Sequence, residues 1–174
     1  MLERKFVALD ALEGEGTLDG YASRFGVRDT GGDVVMPGAY AASLERMRAA
    51  GRRVKMLWQH DPAQPIGVWD AVEEDETGLK VRGRLLDSVA KGREAAALLE
   101  AGAIDGLSIG YRVVRAEKDG AGRRLVEVDL WEVSLVTFPM LPSARVARKA
   151  DDLARVLRDA REALAAGRRT GGRA

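Results

Sequence analysis

Apolar and polar residues alternate along most of this chain with a period of two, the mark of half-buried strands rather than of amphipathic helices. GYASRFG (20–26) and GGDVVMPG (31–38) read as short extended segments punctuated by glycine. VKMLWQH (54–60), IGVWDAVEED (66–75) and GLKVRGRLLD (78–87) follow, the last two joined by Asp75, Glu76, Thr77 and Gly78 as a hairpin would be. Two long strand patterns, GLSIGYRVVRAE (106–117) and RRLVEVDLWEVSLVTFP (123–139), flank the turn-like KDGAGR. Helical spacing surfaces at residues 37–51, with Pro37 at the start, Leu44, Met47 and Arg48 in the body and Gly51 at the stop. It returns at residues 88–102, where Ser88 is the expected N-cap and Gly102 the stop. Seven or so extended segments with two helices predict an α+β protein, mainly β: an antiparallel β-barrel surrounded by helices.

The last stretch differs in kind. DDLARVLRDAREALAA aligns Leu153, Val156, Leu157, Ala160 and Leu164 on one stripe, after LPSARVARKA and before GRRTGGRA. That pattern predicts a C-terminal amphipathic helix on a linker, either docked on the body or serving as a detachable targeting tail. The expected division is a domain over residues 1–147 and a basic tail over 148–174. Charge supports it: the whole chain is formally +1, and the eight basic and four acidic residues from Arg148 onward leave the body at −3.

Composition removes whole classes of chemistry. Without cysteine there is neither a disulfide framework nor a thiol nucleophile, and a single histidine rules out a histidine-rich metal cluster. The near-neutral body gives no sign of a nucleic-acid binder. MLERKFVALD carries charges where a signal peptide needs an apolar core, and no run approaches the roughly 18 apolar residues of a membrane span. The chain reads as soluble and intracellular, with no call for a metal or an organic cofactor.

What chemistry remains centres on three residues. In an extended VKMLWQH, Val54, Met56, Trp58 and His60 share one face, which leaves the only histidine at the end of an apolar row before the loop Asp61–Pro65. Taken alone this is a structural histidine; a partner would change its meaning. In DGLSIGY, Gly106, Ser108 and Gly110 share a face opposite Leu107, Ile109 and Tyr111, so nothing on its own strand crowds the serine, and a backbone or a substrate could lie over its hydroxyl. GLSIG also satisfies the G-x-S-x-G pattern of a nucleophile elbow. That motif needs a helix after the serine and a histidine later in the chain, and both conditions fail.

The third group comes from EVDLWEVSLVT. Strict alternation sets Val126, Val128, Leu130, Glu132, Ser134 and Val136 on one face, and places Glu132 in a strand that is apolar on both sides. A buried carboxylate is costly unless paired, so Glu132 meets either a structural cation or His60. Asp129, nearer the polar end, is the fallback. A chain order of histidine, serine, acid is acceptable because such triads are defined by geometry.

GYASRFGVRDTGGDVVMPGAY, VKMLWQHDPAQPIGVWD, GLKVRGRLL, GREAAALLEAGAIDGLSIGYRVV and VDLWEVSLVTFPMLPSARV together resemble the prohead (procapsid) maturation proteases of tailed bacteriophages and of phage-like gene transfer agents. The resemblance spans about Gly20 to Val146. It implies a serine endopeptidase with a fold like that of the herpesvirus assembly proteases, acting inside the immature capsid in the host or bacterial cytoplasm. Its substrates would be scaffolding protein, or the scaffolding segment of the major capsid protein, and the protease itself. Matched by motif, the histidine of WQHD is His60, the nucleophile of GLSIGY is Ser108 and the acid of EVSLV is Glu132. The herpesvirus relatives use a second histidine in the third role, which this chain lacks, and Arg145 is the nearest equivalent of an arginine that helps position their oxyanion site. A non-enzymatic scaffold or assembly module on the same fold is the competing expectation.

Overall fold

The computed structural model describes the backbone of residues 3–11 and the whole of residues 17–104 and 106–138. Their elements run β1 (Glu3–Ala11), β2 (Thr17–Arg24), β3 (Val34–Val35), α1 (Ala41–Ala49), β4 (Lys55–Trp58), β5 (Asp61–Glu74), β6 (Gly78–Leu85), α2 (Ala90–Glu100), β7 (Gly106–Asp119) and β8 (Gly122–Val136). All eight strands join one sheet in the order β3-β8-β4-β5-β6-β2-β1-β7, and β7 pairs back onto β8. The pairing thus returns to its start, and the curled sheet wraps one apolar interior. Leu18, Met56, Ile66, Leu79, Leu107, Ile109, Tyr111, Leu125, Leu130 and Leu135 are fully buried. Each aliphatic side chain so buried contributes about 1.5–3 kcal/mol.

Period two reads the sheet faces correctly where strands are regular. Leu79, Val81 and Leu85 face inward on β6, with Lys80, Arg82 and Arg84 outward. Both helix stops hold as well. Gly51 and Gly102 adopt positive φ, and each closes its helix with backbone bonds back to the last turn. In the β5–β6 turn, Asp75 Oδ1 accepts the N–H groups of Thr77 and Gly78, the local bonding that favours aspartate there.

Several expectations are corrected. The sheet is not wholly antiparallel, because β3 and β4 both run parallel to β8. The chain traverses β5, β6, α2 and β7 between β4 and β8, the long crossover that a parallel pair needs. Helices brace the sheet at two places rather than surrounding it: among the described residues α1 lies against β8 and β5, and α2 against β5 and β6. The N-cap of α2 is Val89, without a side-chain bond, and not Ser88. The expected loop Asp61–Pro65 is the start of β5, with Trp58 opposite Asp61 and Leu57 opposite Pro65. The charged segment Glu3–Ala11 is a strand, between β2 and β7. The predicted C-terminal helix and Arg145 lie outside the described residues.

Two of these contacts hold the neighbourhood of His60. Gly92 of α2 lies so close to the carbonyl oxygens of Ile66 and Leu86 that a Cβ would overlap both, which presses the helix onto the β5–β6 pair. Beside it, the Lys91 ammonium sits 5.6 Å from the centre of the Trp58 ring.

Candidate active site

His60 does not continue the pleat of β4. Gln59 and His60 have φ of 52° and 63°, and they form a two-residue connection between Trp58 and Asp61. Two left-handed residues in succession are the pattern of a type I′ hairpin turn, usually filled by Asn-Gly. For a residue with a side chain, left-handed backbone costs about 1–2 kcal/mol. The Gln59 side chain fastens this turn to the end of β8, its Nε2 donating to Thr137 Oγ1 at 2.5 Å. As a result His60 leaves the core row of Val54, Met56 and Trp58 and crosses to the other face of the sheet.

A β-bulge does the equivalent for Glu132. Gly110 of β7 opposes Glu132 and Tyr111 opposes Leu130, so Trp131 is the surplus residue. Leu130 and Val133 both reach the core despite being three apart, and Glu132 falls on the face away from it. Unbroken alternation with Leu130 would have put this carboxylate among the core side chains. Trp131 stands 53% exposed.

Gly110 makes room for the acid. A Cβ there would overlap Oε1, Cδ and Cγ of Glu132. The bare glycine face expected to receive a substrate is, at this position, filled by the carboxylate. The edge of the strand is filled too, since residues Gly106–Tyr111 of β7 pair with β1 on one side and β8 on the other.

The three candidate residues meet on this face. His60 Nδ1 lies 2.5 Å from Glu132 Oε1. Ser134 Oγ donates to Glu132 Oε2 at 2.6 Å and accepts the backbone N–H of His60 at 3.2 Å. Ser108 is directly opposite Ser134 in the β7–β8 register. Directly opposed Cβ atoms in an antiparallel pair are about 4.5–5.5 Å apart, which sets Ser108 beside Ser134, the residue bonded to both Glu132 and the His60 backbone. Ser108, His60 and Glu132 are 0%, 8% and 4% exposed, and the Ser108 hydroxyl has no hydrogen-bond partner among the described residues. All three side chains are thus shielded from solvent.

Because a carboxylate only accepts, the hydrogen between Glu132 and His60 belongs to Nδ1, and Nε2 is left able to accept a proton. A hydroxyl that comes within hydrogen-bond reach of such a nitrogen can be deprotonated as it attacks an electrophile. Asp129 does not take part: Ser43 and Arg46 each reach its Oδ1 at 3.3 Å and Arg112 its Oδ2 at 3.4 Å. Ser134, Gln59 and the role of Gly110 were not singled out from the sequence. The one trace of Ser134 there is its place two residues after Glu132, on the same face. Among the described residues no group of three or more His, Asp or Glu side chains gathers as a metal site, and no helix is long and apolar enough to cross a membrane.

A curled β-sheet with a serine, an imidazole and a carboxylate collected on one face defines a class of candidate hydrolases, and comparison with known proteins narrows it. The chain belongs to the caudovirus prohead serine protease family, whose model matches residues 4–159. It is 34% identical over 137 residues to the prohead protease of Enterobacteria phage HK97, across 76% of this chain and 60% of that relative's length. Its fold is similar to that of the capsid assembly protease of bacteriophage T4, with a TM-score of 0.65 at 13% identity over 78% of this chain and 96% of the other. The family match begins before Gly20 and runs beyond Val146, wider than the blocks in which the resemblance was visible.

Proposed function

We propose that this protein is a serine endopeptidase of capsid maturation, with Ser108 as nucleophile, His60 as general base and Glu132 as the group that orients the imidazole. The observation that carries this reading is the 2.5 Å contact between His60 Nδ1 and Glu132 Oε1, with Ser108 one strand away and its hydroxyl uncommitted. Family membership supplies the reaction class. The substrates are capsid or scaffolding protein inside the immature capsid, and the enzyme itself. Residues 1–147 are the protease domain and 148–174 an appended basic tail.

In the reaction, Ser108 Oγ attacks the scissile carbonyl carbon while His60 Nε2 takes its proton. The tetrahedral intermediate collapses as the C–N bond breaks, and the same proton passes to the departing amine. Water then enters, gives its proton to His60 and releases the acyl group, returning the hydroxyl to Ser108. Base assistance of this kind is worth about 10²–10⁴ in rate. The carboxylate holds the imidazole in its working tautomer and stabilises the imidazolium.

Ser108→Ala and His60→Ala decide the matter. Each is expected to give a folded protein, by circular dichroism and thermal melt, that leaves the capsid protein at full length when particles are analysed by mass spectrometry. Normal processing by either variant would remove the protease reading and leave an assembly module on a protease fold.

A further inference from the structure

We infer that Ser134 is a positioning residue for the reaction, the single hydroxyl that fixes the acid and the base to each other; this rests on the reading of Ser108, His60 and Glu132 given above. Ser134 lies in the part of β8 that is paired with a strand on either side. It opposes Ser108 on β7 and Leu57 on β4, three residues before His60. Its side chain is fully buried.

A hydroxyl has one hydrogen to give and two lone pairs to receive. Here the hydrogen goes to Glu132 Oε2 and a lone pair takes the backbone N–H of His60. Both bonds constrain something otherwise free. The terminal torsion of a glutamate is broad and nearly two-fold, so Gly110, which lacks a Cβ, leaves the carboxylate room to turn. With Oε2 tied to Ser134, Oε1 is the oxygen that faces His60 Nδ1. The second bond anchors the backbone of a left-handed residue in a two-residue turn. Ser134 touches no reacting atom; it acts through the two groups that do.

Hydrogen bonds to charged groups are worth about 1.5–3 kcal/mol, roughly a 10- to 100-fold effect when the lost geometry is expressed in rate. The test uses the full chain and a fluorophosphonate probe, which phosphonylates an activated serine and is followed by intact mass. Ser134→Ala is expected to label Ser108 about 10- to 100-fold more slowly with little change in the probe concentration for half-maximal rate. Ser134→Thr, which keeps the hydroxyl, is expected to recover most of the loss. A second readout needs no turnover. With one histidine in the chain, ¹⁵N-histidine labelling gives a single imidazole, and its Nδ1–H resonance should move upfield and broaden in Ser134→Ala while keeping its position in Ser134→Thr.

Wild-type labelling and an unmoved resonance in folded Ser134→Ala would overturn the assignment, as would equal losses in the alanine and threonine variants. If Ser134→Ala fails to fold, Ser134→Cys against Ser134→Thr gives the same contrast, and equal rates in that pair count against the hydroxyl. If the wild-type chain is not labelled at Ser108, the nucleophile reading fails first, and the resonance alone then decides for or against Ser134.

Discussion

At Gly110 the residue matters for the volume it leaves to another. The Glu132 carboxylate lies over its α-carbon where a side chain would be. Gly110→Ala must therefore displace the acid from His60, and is expected to lower the rate of Ser108 phosphonylation at least 100-fold while the far-ultraviolet circular dichroism stays native; near wild-type labelling would show that the carboxylate has another place to sit. A different residue governs how stability responds to pH. Glu74 accepts the backbone N–H of Tyr40 at the start of α1, and burial, only partly offset by that bond, raises its pKa above the ordinary 4.5. A carboxyl raised in the folded state stabilises most below its unfolded value, and that contribution is lost as pH climbs through the folded value. Glu74→Gln should accordingly melt higher than the wild type at about pH 7, with the gap closing near about pH 3.5, where the wild-type carboxyl is neutral. Equal melts at both pH values would mean that burial does not penalise the charge. Of the residue-scale picture, the sequence carried the identities: one histidine, a serine between glycines, and an acid in an apolar strand. It did not carry Gly110's function, because vacant volume is recognisable only from what fills it.

Among the elements, the irregular ones make the site. A regular pleat delivers Ser108 to the face away from the core, and there the alternation of Gly106, Ser108 and Gly110 against Leu107, Ile109 and Tyr111 was legible in full. His60 and Glu132 needed the opposite of regularity. Each is carried off its expected face by one local departure, the turn at Gln59–His60 and the bulge at Trp131. Neither departure shows in side-chain polarity, since Gln-His is not a usual left-handed pair and Trp131 extends an otherwise unbroken alternation. A β-branched residue tolerates positive φ worst. Gln59→Val is expected to melt below Gln59→Gly by an amount equivalent to about 1–2 kcal/mol, and to label Ser108 more slowly. Matching stabilities would show that the turn can be made without left-handed backbone. The strand at Glu3–Ala11 was missed for a related reason: tertiary pairing on both sides makes it a strand, whatever its charges.

Across the whole molecule, the fold class was visible from the density of alternating segments, whereas the directions of β3 and β4 were not. Parallel pairing depends on which distant strands become neighbours, and no local pattern encodes that. The capsid assembly protease of bacteriophage T4 has a similar overall fold at 13% identity, so the fold tolerates wide changes of side chain. That parallel pairing also has a bearing on time. The bonds of His60 to Ser134 and Glu132 span 74 and 72 residues of chain, and they form only once β8 has settled beside β4. Contacts so far apart in sequence are late events in folding. During refolding from denaturant, fluorophosphonate reactivity should lag behind the recovery of strand signal and appear with the final phase; reactivity that rises with the first phase would place the pairing early. If the proposed function holds, a newly made chain stays unreactive until its last strand is in place.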